Sequence, residues 1–294
     1  MFSKLMLGTV QFGLEYGIAN VSGKPSFERV CEILRTAHEG GVTALDTAAA
    51  YGTSEEIVGA ALERLALRDA MTVVSKVPPI EADTDAGAER FIEQTVLRSL
   101  QRLRLERLAV CLLHRENDLR FLPVLGKMVG KGLIGGAGVS LDSDRFLGEA
   151  GAARFIQLPY NVVDRRFDSF WPTAQNNDIR LFSRSVYLQG LLVMPEEKIR
   201  PGLSGVIPVR RSLERIALEA GCTMPELCMR YVLSNPAVTS VLTGVDTAEQ
   251  LRENLRLAAL GPLPEDVLGR VRECVPVLPE SLVRPALWDT RIPV

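Results

Sequence analysis

The stretch ALDTAAAYGTSEEIVG, residues 44–59, reads as the end of a strand, a loop and the start of a helix. Its apolar run stops at Asp46, Tyr51 follows five residues later, and Ser54 reads as an N-cap, with Glu55 and Glu56 suited to a helix dipole. A carboxylate at the end of a buried strand is costly unless another group pairs with it. The partner has to come from a distant segment.

The same unit recurs along the chain. Apolar runs resembling strands stand at KLMLGTV, VTALDTA, MTVVSKV, LAVCLLH, LIGGAGVS, RFIQLPYN, IRLFSRSV and VTSVLTGV, with helical patterns between them. SFERVCEILRTAHEGG opens on Ser26 as a cap and carries Phe27, Val30, Cys31, Leu34 and Ala37 at helical spacing before Gly40. AERFIEQTVLRSLQRLRL is the longest amphipathic stretch. Near-continuous apolar strands alternating with helices imply a parallel sheet covered on its faces, and eight units imply a closed (β/α)8 TIM barrel. The first turn has glycines at 8, 13 and 17 but no G-x-G-x-x-G, which argues against an open dinucleotide-binding sheet. The expectation is one domain over residues 1–294, with a loop at 195–207 and a Pro-rich tail at about 275–294.

Composition narrows the function. With 47% hydrophobic and 24% charged residues and a net charge of -2, the chain offers no electrostatic case for nucleic acid. Five cysteines without C-x-x-C spacing read as reduced thiols in a cytoplasmic protein, and two histidines, His38 and His114, argue against a metal site. No segment resembles a signal peptide or a membrane span, so a soluble protein acting on a small molecule is expected.

In such barrels the chemistry sits at the C-terminal strand ends. The second strand ends on Asp46, the third on Lys76 and the fourth on His114, with Tyr51 in the loop after the second. Taken singly, the Asp reads as a turn or cap residue, the Lys as a solvated strand end and the His as a structural histidine. Taken together they form one site: Lys76 pairs with Asp46 and favours the ionised form of Tyr51, while His114 holds a carbonyl oxygen.

At these residues the sequence resembles the aldo-keto reductase superfamily. The resemblance is carried by LGTVQFG, LDTAAAYGTSEEIVGAAL, VVSKV, LLHRE, GAGVS, IQLPYN, SRSVYLQGLL and VLTGVDTAEQLRENL, and covers nearly the whole chain. It implies a nicotinamide cofactor and a catalytic tetrad of Asp46, Tyr51, Lys76 and His114, with Tyr51 giving the proton as hydride reaches a carbonyl carbon. It also implies cofactor contacts at Gly8 and Thr9, and carboxamide contacts at Ser140 and Gln157. Leu141 stands where the family usually has Asn. Arg184 stands where an aromatic ring commonly stacks on the nicotinamide, and reads either as a stacking guanidinium that favours the reduced form or as a salt-bridged arginine. Ser185, Tyr187 and Gln189 border the pyrophosphate path.

The last unit, TGVDTAEQLRENL, offers Gly244 and a helix N-terminus to a phosphate, with Gln250 and Asn254 on the adenine side by resemblance. Many NADP(H)-preferring relatives carry Lys or Arg among the positions held here by Gly244, Val245, Asp246 and Gln250. Asp246 reads either as a partner for a ribose 2'-hydroxyl or as a helix N-cap. Arg252 is an alternative phosphate ligand, so the cofactor is NADP(H) or NAD(H). Substrate-side candidates are Phe12 to Tyr16, Tyr160 to Trp171 and the tail around Trp288. The wording resembles a bacterial branch associated with sugar and surface-polysaccharide metabolism, which implies a sugar-derived carbonyl or alcohol. The short N-terminal segment leaves little room for the barrel-plugging hairpin of many relatives. A nicotinamide-retaining lyase or epimerase and a non-catalytic regulatory subunit use the same fold and remain alternatives; oligomeric state is not legible.

Overall fold

The computed structural model describes residues 2–18, 23–82 and 84–288. Eight strands, β1 (Leu5–Gly8), β2 (Ala44–Asp46), β3 (Thr72–Val77), β4 (Val110–Leu113), β5 (Ala137–Ser140), β6 (Phe155–Pro159), β7 (Arg180–Arg184) and β8 (Val238–Gly244), pair in sequence order. Every pairing is parallel, and β8 returns onto β1 to close the barrel. The helices are α1 (Val10–Gly13), α2 (Phe27–Glu39), α3 (Ser54–Arg64), α4 (Asp85–Leu103), α5 (Leu122–Gly130), α6 (Leu147–Ala150), α7 (Trp171–Asn176), α8 (Ile207–Glu219), α9 (Met224–Leu233), α10 (Ala248–Ala259), α11 (Glu265–Cys274) and α12 (Glu280–Val283). Among the described residues no helix is long and apolar enough to cross a membrane.

Helix boundaries follow local chemistry. The Ser26 hydroxyl accepts the Arg29 N–H at 3.3 Å to start α2, and Thr84 accepts the Gly87 N–H at 3.1 Å to start α4. Along α2 the residues Val30, Ile33, Leu34 and Ala37 form a fully buried stripe against the barrel. Each buried Leu or Ile contributes about 1.5–3 kcal/mol of transfer free energy.

The barrel interior decides where the chemistry falls. Met6, Ala44, Val74, Val110, Leu112 and Phe182 pack inside it with Phe155 and Leu242, and Phe2 lies under Phe182 with ring centroids 5.0 Å apart. Side chains alternate along a strand, so a residue two positions further on faces the same way, one layer higher. Two beyond Ala44 is Asp46; two beyond Val74, Leu112, Phe155 and Phe182 are Lys76, His114, Gln157 and Arg184. The same inward rows that fill the barrel with hydrocarbon therefore end in a ring of polar groups at its C-terminal mouth.

Three local expectations are corrected. Ser54 is the first residue of α3, not its cap; its hydroxyl turns inward to the Thr9 carbonyl at 2.8 Å. Residues 195–207 are not a plain loop but contain 3-10 turns at Glu196–Lys198 and Pro201–Val206 before α8. The tail carries α12 and a 3-10 turn at Pro285–Leu287, and residues 289–294 lie outside the described residues.

Candidate active site

The partner of the Asp46 carboxylate is Lys76. Its Nζ donates to Asp46 Oδ2 at 2.6 Å and to the Thr47 carbonyl at 2.9 Å, while Gln157 Nε2 donates to Asp46 Oδ1 at 2.7 Å. Both carboxylate oxygens are thus satisfied, in a pair with 2% or less of either side chain exposed. Lys76 Nζ also lies 3.4 Å from the Tyr51 hydroxyl and 4.9 Å from that ring's centroid. Burial alone would lower the Lys76 pKa, but the charge of Asp46 and the Tyr51 oxygen outweigh it and raise it, so the ammonium stays charged.

His114 meets Tyr51 edge to face, with centroids 5.6 Å apart at 81°. Burial first, then the positive charges of Lys76, Arg184 and Arg115, bring its pKa down to about 3, and the imidazole is neutral. Tyr51 is held by its backbone: its N–H donates to the Ala48 carbonyl and its own carbonyl accepts from the Ser54 N–H, each at 3.0 Å. Beneath it the hydroxyls of Thr9, Thr47 and Ser54 form a buried cluster, with Ser54 Oγ 2.9 Å from Thr9 Oγ1 and 3.0 Å from Thr47 Oγ1.

Tyr51 opens onto a cavity of about 280 Å³. Its wall brings together Gly8, Thr9, Asp46, Tyr51, Gln157, Arg184, Ser185, Tyr187, Gln189, Gly244, Asp246 and Gln250. Lys76 sits buried behind Tyr51. Ser140 and Asn254 are buried outside this wall, and Asn254 Oδ1 accepts the Tyr187 hydroxyl at 3.1 Å. Asp246 is not the cap of α10: Thr247 is, accepting the Gln250 N–H at 3.3 Å, while the Asp246 N–H donates to Gln250 Oε1 at 2.7 Å. Arg252 turns outward to Glu249 at 3.1 Å and Glu32 at 3.6 Å. Arg184 is salt-bridged, with Nη2 donating to Asp142 Oδ1 at 3.0 Å and to the Leu141 carbonyl at 2.9 Å.

Of the substrate-side aromatics, Tyr16 lines the cavity and its hydroxyl accepts from Gln189 Nε2 at 3.0 Å. Phe12 is fully buried in the core, and the Trp171 indole N–H donates to Asp168 at 3.0 Å as its ring packs on Tyr160. Trp288 is also buried. Sequence reasoning missed Gln11, Thr243, Asp142 and Arg284. Gln11 stands three residues past Gly8, inside the quoted LGTVQFG, and was the available signal for its strand end.

The family model for the aldo/keto reductase family matches residues 4–276. The chain belongs to the aldo/keto reductase family. It is 26% identical to the NADH-specific methylglyoxal reductase of Escherichia coli K12, over 86% of this chain and 92% of that one. It is 25% identical to the L-galactose dehydrogenase of Arabidopsis thaliana, over 91% and 90%. An aldo-keto reductase from Bacillus halodurans, solved in its holo form, shares the fold with a TM-score of 0.77 and 20% identity over 94% of this chain and 93% of that chain. Membership makes this chain an oxidoreductase of the nicotinamide-dependent, carbonyl-reducing kind.

The cavity of this aldo-keto reductase fits such a cofactor. Gln11 Oε1 and Thr243 Oγ1 are buried without a hydrogen-bond partner, and both residues stand in its wall, where a polar ligand would satisfy them. Gly8 and Gly244 pair across β1 and β8, and a side chain at Gly244 would collide with the Gln11 amide. Two bare backbones there leave the wall open to a close-lying group.

Proposed function

We propose that this aldo-keto reductase interconverts a small, oxygen-rich or sugar-derived aldehyde or ketone with its alcohol, using NAD(H) and Tyr51 as the general acid and base. The observation that carries this reading is the bonded series Asp46, Lys76, Tyr51 at a cavity wall, beside a neutral His114. The cofactor, when bound, supplies or accepts the hydride. Tyr51 gives its proton to the carbonyl oxygen, and Lys76 stabilises the negative charge left on the phenol oxygen. Asp46 holds that ammonium in place and balances it. A neutral His114 can donate a hydrogen bond to the same carbonyl oxygen without adding a second cation. A placed proton donor of this kind is worth about 10²–10⁴-fold in rate.

The preference for NAD(H) rests on charge. A 2'-phosphate is best held by charge-assisted bonds from Arg or Lys. Among the described residues of the wall, Arg184 at the end of β7 is the one Arg or Lys, and it is committed to Asp142. Beyond β8 the wall presents Asp246 and Gln250, while Arg252 is paired on the outer face. The substrate class is supported by two relatives whose names specify methylglyoxal and L-galactose, both small and oxygenated.

The test is a parallel fluorescence titration with NADH and NADPH at one salt concentration. NADH is expected to bind at least about tenfold more tightly, and Asp246→Ser to narrow that gap. Tighter NADPH binding contradicts the assignment of Asp246, and binding of neither contradicts the nicotinamide site.

A further inference from the structure

Asp142 has every polar group engaged, by partners from four other parts of the chain. Its Oδ1 accepts Arg184 Nη2 at 3.0 Å and its Oδ2 accepts Arg284 Nε at 2.9 Å. Its carbonyl accepts Arg166 Nη1 at 3.0 Å, and its N–H donates to Glu116. Glu116 follows β4, Asp142 follows β5, Arg166 follows β6, Arg184 ends β7 and Arg284 follows α12. One carboxylate is therefore shared by two arginines, one in the cavity wall and one in the C-terminal tail. The Leu141 carbonyl gives Arg184 a second anchor.

We infer that Asp142 is a positioning residue that fixes Arg184 at the nicotinamide end of the cavity and, together with Arg284, sets how strongly the site favours the reduced over the oxidised cofactor. This rests on the nicotinamide reading above. A ring that exchanges hydride with a carbon whose oxygen bonds Tyr51 has to lie where Tyr51, Gln157 and Arg184 form the wall. The oxidised and reduced rings are close in shape but differ by one positive charge. Fixed charge beside them separates their affinities, whereas packing and cleft shape act on both nearly alike. Arg184 and Arg284 disfavour the oxidised ring, and the shared Asp142 carboxylate moderates that effect.

The experiment measures Kd for NADH and for NAD+ in the wild type, Asp142→Asn and Arg284→Gln, by nucleotide and tryptophan fluorescence at low salt. Asp142→Asn leaves two arginines without their shared carboxylate, and the ratio Kd(NAD+)/Kd(NADH) is expected to rise about fivefold or more. Arg284→Gln removes a cation, and the ratio is expected to fall. Should Asp142→Asn fail to fold, the fall in Arg284→Gln carries the test alone. Equal changes in both Kd values, or a ratio that moves the other way, overturn the role of Asp142 and leave the nicotinamide reading standing. A wild type that binds neither nucleotide removes both.

Discussion

His114 and Lys76 share one neighbourhood, and it drives their protonation in opposite directions. Lys76 gains a carboxylate and a phenol oxygen, which outweigh burial and raise its pKa. His114 faces burial and three cations, which lower its pKa to about 3 from the ordinary 6.5. Below pH 6.5 the unfolded chain therefore binds a proton at His114 that the folded protein refuses until about pH 3. This residue's cost to stability is absent above pH 6.5 and grows as pH falls, by up to about 1.4 kcal/mol per pH unit. Replacing it exposes the effect. Urea unfolding of wild type and His114→Gln is expected to show the variant gaining about 2.5–3 kcal/mol relative to wild type between pH 7.5 and 4.5; parallel curves contradict a depressed His114. Asp46, Lys76 and His114 were legible in the sequence because each is the first strongly polar group after an apolar run. Asp142 and Arg284 were not, because they are 142 positions apart and meet only after the tail folds back over the mouth.

The connection from β2 to α3 carries Tyr51, and α1 fixes its backbone. A Cβ on Gly13 would collide with the Tyr51 carbonyl oxygen and approach the Ser54 N–H, and Gly52 follows with φ of 54°. The glycine pattern of the first turn, which in the sequence only argued against a phosphate fingerprint, thus has a positive use. It lets α1 lie against the loop that positions the phenol. Gly13→Ala is expected to cost about 1–3 kcal/mol in stability by overpacking and to lower turnover by more than it lowers cofactor affinity, since Tyr51 moves while Asp246 and Gln250 do not. Unfolding curves measured beside kcat and nucleotide Kd check this; unchanged turnover contradicts the role of α1. Ser54 shows the limit of pattern reading. Its position and the acids after it suggest a cap, but the fold brings Thr9 and Thr47 beside it, and burial recruits its hydroxyl to that cluster. Phe12 stands among the substrate-side candidates of the sequence for a similar reason: local sequence does not show that α1 turns it into the core.

The closed barrel explains how motifs dispersed over eight strands come to share one mouth. Period-two alternation and equal strand direction bring the inward residues at the C-terminal strand ends to the same mouth, over an interior filled by Met6, Ala44, Val74, Val110, Leu112 and Phe182. The barrel itself was legible from the recurrence of strand and helix, because that pattern repeats whatever the site contains. The cavity's two ends were legible only by resemblance, and the tail's contribution emerged from the folded chain. The central claim is that this mouth moves hydride between a nicotinamide and a carbonyl carbon while Tyr51 moves the proton. The direct measurement supplies NADH deuterated at C4 with methylglyoxal or a small aldose, and follows deuterium in the alcohol by mass spectrometry for wild type and Tyr51→Phe. The account predicts carbon-bound deuterium in the wild-type product and a loss of at least about 100-fold in Tyr51→Phe, with NADH binding nearly unchanged; deuterium transfer that survives in Tyr51→Phe at the wild-type rate, or none from any carbonyl with the wild type, would contradict it.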